Sequence, residues 1–293
     1  MDLHTHSTAS DGILTPAELV SRAAEKGVTQ LALTDHDTMV GFQEAKAEAD
    51  RRNIELIPGI EFSSQWKGRG IHIVGLNMDL ESPVLQQAVA SQEQRRLDRA
   101  VVIAERLENK GFKGAYEGAQ AQAGGSAEKP VMLGRPHFAR WMLEEGHVTT
   151  IQQAFKKWLG AGKPGDVKQV WPEVAEVVSW INQSGGVAVL AHPDHYKMTR
   201  TKLKAFLDDF VEAGGGAIEV CSGPQLPNVT RNMAQLCQEY GLLASCGSDF
   251  HSPGQAWLEL GCYPQLPEGL TPVWQHFGRG KTVEVAEVFD TVG

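Results

Sequence analysis

The chain has 293 residues, 42% of them hydrophobic, enough to bury the core of one α/β barrel with room for an insertion. Its formal net charge of -9 argues against indiscriminate nucleic-acid binding, which normally shows as a basic surface. No apolar run approaches the roughly 20 residues of a spanning helix, and the chain opens on a strand-like segment instead of a charged and apolar signal, so a cytoplasmic setting is expected and a membrane role is not.

The opening run Asp2-Leu3-His4-Thr5-His6-Ser7 places two imidazoles two residues apart. Side chains at i and i+2 of a strand leave one face about 6.6 Å apart, close enough to converge on one ion. Asp11 follows in a Ser10-Asp11-Gly12 turn, where Asp is also favoured for backbone reasons. The apolar run Leu31–Leu33 leads into His36, and Ile54–Ile57 leads towards Glu61. His72 opens the run Ile73–Leu76. After the middle of the chain, Val187–Leu190 runs into His192, Ala217–Val220 makes another apolar run, and Leu242–Ser245 precedes Asp249 and His251. Strand-like runs alternating with helix-like stretches predict a parallel sheet, with chemistry gathered at the C-terminal ends of its strands. From Thr271 onward the pattern predicts a helix around Val273 to Phe277 and then a short apolar segment, to which no chemistry is assigned.

Residues 83–171 differ. They hold 13 Lys and Arg against 9 Asp and Glu, a balance of +4, while the remainder carries -13. Helical patterns over about 84 to 110 and 136 to 159 predict a helical insertion, or lid, on a barrel formed by 1–82 and 172–293. The stretch from Gly111 to Gly134 reads as a loop or weak helix. Gly134-Arg135-Pro136-His137 reads as a helix start, with Pro136 suited to the first turn. Backbone N–H groups there favour a phosphate, which Arg135 could grip in bidentate fashion and His137 could bond. Lys163, in Ala161-Gly162-Lys163-Pro164-Gly165, marks a second, weaker phosphate loop.

A single histidine on a strand is more often packed or exposed than a ligand, and His137, His147, His195 and His276 carry that expectation. Six histidines and three carboxylates recurring at strand ends are not explained by packing. His4, His6, Asp11, His36, Glu61, His72, His192, Asp249 and His251 are therefore read as a multinuclear metal site. Imidazole and carboxylate without thiolate suits Mn²⁺, Zn²⁺ or Fe²⁺. The four cysteines, Cys221, Cys237, Cys246 and Cys262, show no C-x-x-C spacing and are read as reduced structural thiols.

His4-Thr5-His6-Ser7, Thr34-Asp35-His36-Asp37, Ala191-His192-Pro193 and Ser248-Asp249-Phe250-His251 resemble the four motifs of the PHP (polymerase and histidinol phosphatase) family. Pro58-Gly59-Ile60-Glu61, Ile71–Leu76, the Arg135–Arg140 helix start and the Phe155–Gly165 stretch are similar to the TrpH/YciV, or RNase AM, branch. The resemblance implies a distorted (β/α)7 barrel with a helical insertion. It implies removal of the 3'-phosphate from nucleoside 3',5'-bisphosphates and 5'-to-3' exoribonuclease action on short 5'-phosphorylated RNA, with no obligatory protein partner. It implies up to three ions, Mn²⁺ first, with Zn²⁺, Fe²⁺ or Mg²⁺ as alternatives. His4, His6, Glu61 and Asp249 would hold one ion; Glu61 would bridge to a second held by His72 and His192; Asp11, His36 and His251 would hold a third. Glu61, Asp249 and His192 are the expected catalytic residues, and Arg135, His137, Lys163 and His195 the expected substrate contacts. The branch usually has Arg where this chain has His195, and Tyr where it has Asp166, which puts substrate preference in question. A histidinol-phosphatase-like or other small-molecule phosphatase on the same site is the alternative.

Overall fold

The computed structural model describes residues 1–126, 131–167, 170–254 and 258–277. Six strands, β1 (Gln30–Leu33), β2 (Glu55–Trp66), β3 (Arg69–Leu76), β4 (Val187–Leu190), β5 (Ala217–Ser222) and β6 (Leu243–Gly247), form one curled sheet in sequence order. The N-terminal segment closes it. Asp2 bridges to Leu31 beside β1, and Thr5 bridges to Phe250 just beyond β6, with Ala32 N–H donating to Asp2 O and Leu3 N–H to Cys246 O. This closure makes the sheet the distorted α/β barrel that the motifs imply. The His4–His6 segment contributes single bridges, not a full ladder.

The sheet is not all parallel, as the alternation of runs suggested. β2 is 12 residues long and turns through Lys67 and Gly68, both at positive φ, into β3, which runs antiparallel to β2 and to β4. Only the β1–β2, β4–β5 and β5–β6 pairs are parallel. The reversal matters for the site: His72, near the start of β3, reaches the same barrel end as the residues following β1, β4 and β6.

Register sets what faces inward. Val74 pairs with Glu61 on one side and Val189 on the other, and Val189 pairs with Ala217. With a side-chain period of two, His72, Glu61 and Glu219 continue the face that carries Val74, Leu76, Val187, Val189 and Ala217. Those apolar residues form one buried cluster with Leu3, Ala32 and Ile57. One end of the barrel is thus an apolar plug, and the other ends in carboxylates and imidazoles.

Outside the sheet, α1 (Pro16–Glu25) starts at a Thr15–Glu18 capping box with Pro16 in its first turn, and α2 (Phe42–Arg52) packs beside it over β1. The segment after β3 is helical: α3 (Pro83–Glu108), α4 (Ala115–Gln122), α5 (Arg135–Glu144) and α6 (Ile151–Ala154), the last continuing with π geometry through Phe155–Leu159. These helices share their own buried cluster, centred on Ile103, Leu107, Phe138, Met142 and Leu159. One expectation needs revision: the 136–159 pattern is two helices, because Gly146 takes φ 70° after α5. The Gly111–Gly134 stretch, read as a loop or weak helix, contains the short helix α4. Helices α7 (Val174–Gln183), α8 (Arg200–Glu212) and α9 (Pro227–Glu239) cover β2 to β6. Val273–His276 is a 3-10 turn, and the apolar segment expected after it lies outside the described residues. No helix among the described residues is long and apolar enough to cross a membrane.

Candidate metal centre

All nine sequence-predicted ligands meet at the carboxylate end of the barrel. His4 and His6 are fully buried on the closing segment. The close approach of β6 that holds them needs Gly247, where a Cβ would sit 2.4 Å from His4 Cβ. Glu61 is the hub. Its Oε1 lies 2.8 Å from His72 Nδ1 and 2.9 Å from His192 Nε2. Its Oε2 lies 3.3 Å from His4 Nε2, 3.2 Å from His6 Nε2 and 2.9 Å from His36 Nδ1. Asp249 Oδ1 lies 3.3 Å from His6 Nε2 and 3.6 Å from His4 Nε2. At the far edge, Asp11 approaches His251 at 3.2 Å and His36 at 3.8 Å.

These atoms make four overlapping groups with ion-binding spacing: His4 with His6 and Asp249; His4 with Glu61 and His192; His36 with Glu61 and His72; and His6 with Asp11, His36 and His251. Whether they suit a cation can be read from the polar atoms left over. His4 Nε2, His6 Nε2, His36 Nδ1, Glu61 Oε2 and Asp11 Oδ1 are all buried without a hydrogen-bond partner. Burying such groups unsatisfied is costly, and ion coordination satisfies them together. The donors fit a divalent cation cluster, and Glu61, facing His72 and His192 with one oxygen and His4 and His6 with the other, has the form of a bridge.

Electrostatics agree. Burial alone would raise the carboxyl pKa of Glu61, but His36, His72 and His4 hold it well below the usual range. Asp249 is likewise lowered against its burial by His4, His6 and His251. His192 and Asp249 have positive φ, 29° and 54°, backbone conformations that L-residues pay for and that cluster at functional sites.

Two residues that the sequence reading left without a role stand behind the ligands. Glu219, buried in β5, accepts a hydrogen bond from His4 Nδ1 at 2.6 Å and from the His192 backbone N–H at 2.6 Å. It thereby fixes the His4 tautomer so that Nε2 faces the cluster. Asp35, also buried, accepts from the Ser7 N–H, the Ser7 hydroxyl and the Ser10 hydroxyl, pinning the loop that carries Asp11. The signal for Glu219 was a carboxylate inside the unbroken apolar run of β5.

The helical segment touches the Asp11 loop through Arg140, which donates to Asp11 O, and it carries further guanidinium groups at Arg96, Arg99 and Arg135. Arg96 donates to Asp37 at 2.6 Å, with Gln92 on the other oxygen of that carboxylate. Arg99 donates to Val167 O at 2.8 Å, and both arginines lie over Trp171. Arg135, at the start of α5, donates to Leu159 O and lies 3.9 Å from Asp166. Burial, with Arg135 and Arg96 nearby, pushes the Arg99 pKa down to about 9. Buried positive charges crowded in this way favour an anion among them. The sequence pattern located the helix that carries Arg96 and Arg99 without singling either out.

The remaining expected substrate contacts differ from one another. His137 is buried, and its Nδ1 accepts the Gly134 N–H at 2.9 Å, so one amide of the predicted phosphate-binding helix start is already engaged. Burial and Arg140 lower its pKa to about 4, which keeps the ring neutral. Lys163 is exposed in a turn whose Gly162, Lys163 and Gly165 amides are bonded to Asp166 Oδ2, Gly160 O and Trp158 O, so that loop offers few amides to a phosphate. His195 is exposed and stacks on His192, ring centroids 5.0 Å apart at 18°.

The PHP domain model matches residues 2–220. The chain belongs to the PHP family. Over 276 residues this PHP protein is 45% identical to the Escherichia coli K12 protein named 5'-3' exoribonuclease Rnm, covering 94% of this chain and 92% of that one. Over 275 residues it is 41% identical to the Chromobacterium violaceum protein named 3',5'-nucleoside bisphosphate phosphatase, covering 94% and 95%. A solved C. violaceum structure, described as an amidohydrolase with bound sulfate and no metal, matches with a TM-score of 0.86 at 40% identity over 94% of this chain and 95% of its own.

Proposed function

We propose that this PHP protein is a metal-dependent phosphoesterase that hydrolyses the 3'-phosphate of nucleoside 3',5'-bisphosphates and removes nucleotides from the 5' end of short 5'-phosphorylated RNA. The observation that carries the reading is the nine-ligand cluster with a buried guanidinium group on one flank: one end to hydrolyse a phosphoester, the other to grip a phosphate that is not cleaved. The names of the two relatives support both substrates, and each of those substrates carries a 5'-phosphate for the guanidinium flank to hold. A small-molecule phosphatase that did not need a second phosphate is the weaker reading for the same reason.

His4, His6, Glu61 and Asp249 would hold one ion, Glu61, His72 and His192 a second, and Asp11, His36 and His251 a third; Mn²⁺ comes first on the family resemblance, since imidazole and carboxylate donors suit Zn²⁺ and Fe²⁺ as well. Divalent ions held there would supply the Lewis acidity that makes water a nucleophile near neutral pH and offset charge on the phosphate. The protein's own part is orientation and proton handling. Glu219 fixes His4 and His192, and Asp35 fixes the Asp11 loop. Arg135 and Arg99 anchor the 5'-phosphate, which sets the 3'-phosphorus over the cluster. Asp249 or His192 would take the proton released by the attacking water. The helical segment 83–171 acts as the recognition lid of this barrel, and the free thiols support a reducing, cytoplasmic setting.

The test is the 5' end. A 5'-phosphorylated oligoribonucleotide should be shortened at least about tenfold faster than its 5'-hydroxyl counterpart, the loss expected when a charge-assisted contact worth roughly 1.5–3 kcal/mol is missing. Equal rates would remove the anchoring role from Arg135 and Arg99.

A further inference from the structure

The ring stacks give the cluster a direction. His251 and His6 lie 4.2 Å apart, His6 and His4 5.1 Å, His4 and His192 5.7 Å, and His192 and His195 5.0 Å. The first end abuts the helical segment, where Arg140 donates to Asp11 O. The opposite end opens into a pocket of about 170 Å³ whose lining includes His192, Asp194, His195, Ser222, Leu226 and Val229. A second hollow of about 380 Å³ shares Pro224 and Leu226 with it and reaches Tyr263.

Neither hollow has a lysine or arginine in its lining, so the groove is not built for phosphate. Leu226 is 68% exposed and occupies the N-cap of α9, where Ser, Thr, Asp or Asn would serve the helix better. The helix therefore does not account for a leucine there. Ser222 is only 7% exposed, and its Oγ has no hydrogen-bond partner, so a ligand hydroxyl or base edge would satisfy it. The His195 ring, lying parallel on His192, offers a flat face at the entrance.

We propose that this groove holds the nucleoside immediately downstream of the scissile phosphate in a 5'-phosphorylated RNA. The assignment rests on the function proposed above, and the groove is what distinguishes an RNA from a bisphosphate at this site. With the 5'-phosphate among the guanidiniums and the 3'-phosphorus over the cluster, the next ribose and base fall on the His192 side. Water adds to phosphorus and the P–O3' bond breaks. The departing 3'-oxygen takes a proton, and the shortened RNA keeps the phosphate as its new 5' end. A nucleoside 3',5'-bisphosphate has nothing downstream and does not use the groove.

The test compares kcat/KM for a 5'-phosphorylated dinucleotide and for a nucleoside 3',5'-bisphosphate, using the Mn²⁺-loaded full chain. Leu226→Asp, on an exposed cap position that tolerates Asp, should lower the dinucleotide-to-bisphosphate ratio about tenfold with no fall in thermal stability. Leu226→Trp should lower KM for the dinucleotide several-fold by giving the base a stacking face. An unchanged ratio in both variants overturns the groove and leaves the phosphoesterase reading in place. A wild-type protein that hydrolyses the bisphosphate but never the dinucleotide overturns the groove together with the exoribonuclease half of the proposed function, and leaves the phosphatase half standing. Inertness toward both substrates overturns the functional reading and the groove with it.

Discussion

Glu219 shows how a residue outside every motif can govern those inside. Its carboxylate takes hydrogen bonds from His4 Nδ1 and from the His192 amide, tying together residues 188 positions apart in the chain. Glu219→Gln keeps the size of the side chain but removes the charge that favours the Nδ1–H tautomer of His4. Metal affinity should fall about 10–100-fold, the usual consequence of losing such a support, measured as metal retained after dialysis against a competing chelator; undiminished affinity would make Glu219 a packing residue only. The nine candidate ligands were legible because each sits in a short motif, and they converge; even Asp11, suited to a turn for backbone reasons, reaches His251 and His36. Glu219 and Asp35 were not given roles, since a single carboxylate beside apolar or motif residues reads the same whether it supports a ligand or simply satisfies its own backbone.

At the scale of elements, apolar runs located all six strands of the described residues, but their direction was not legible. A run has no polarity, and the Lys67-Gly68 turn that sends β3 back along β2 is short and ordinary in composition. Helical periodicity located α3 within two residues of its end while saying nothing about what its inward face meets. That face carries Gln92, Arg96 and Arg99, all buried, and Arg96 is the clamp between the helical segment and the barrel: it bonds Asp37, itself fully buried, and the Ser63 hydroxyl on β2. Arg96→Ala would leave the Asp37 charge buried with only Gln92 and the Ser63 amide as partners. A loss of about 3–5 kcal/mol in unfolding free energy is expected, read by urea denaturation. Arg96→Ala combined with Asp37→Asn should recover part of that loss, and a single variant as stable as the parent would show that the clamp contributes nothing net.

For the whole molecule, the division of charge along the chain has a physical meaning in three dimensions. The acidic part of the sequence places its inward carboxylates around imidazoles at one barrel end, and the basic segment 83–171 brings buried guanidiniums to the flank of that cluster. An overall acidic protein can in this way draw a doubly phosphorylated ligand to one spot without attracting nucleic acid over its whole surface. Family membership and barrel architecture were legible from four motifs; the proposed 5'-phosphate anchors were only half legible, because Arg135 announces itself at a helix start whereas Arg99 does not. The most direct test is hydrolysis of adenosine 3',5'-bisphosphate by Mn²⁺-loaded protein, with adenosine 3'-phosphate and 5'-AMP run in parallel and Glu61→Gln as control. Phosphate and 5'-AMP released in equal amounts, 5'-AMP left intact, adenosine 3'-phosphate turned over far more slowly and no turnover by Glu61→Gln is the predicted result. Equal rates on the two 3'-phosphates, or full activity in Glu61→Gln, would contradict the pairing of a metal cluster with a 5'-phosphate anchor.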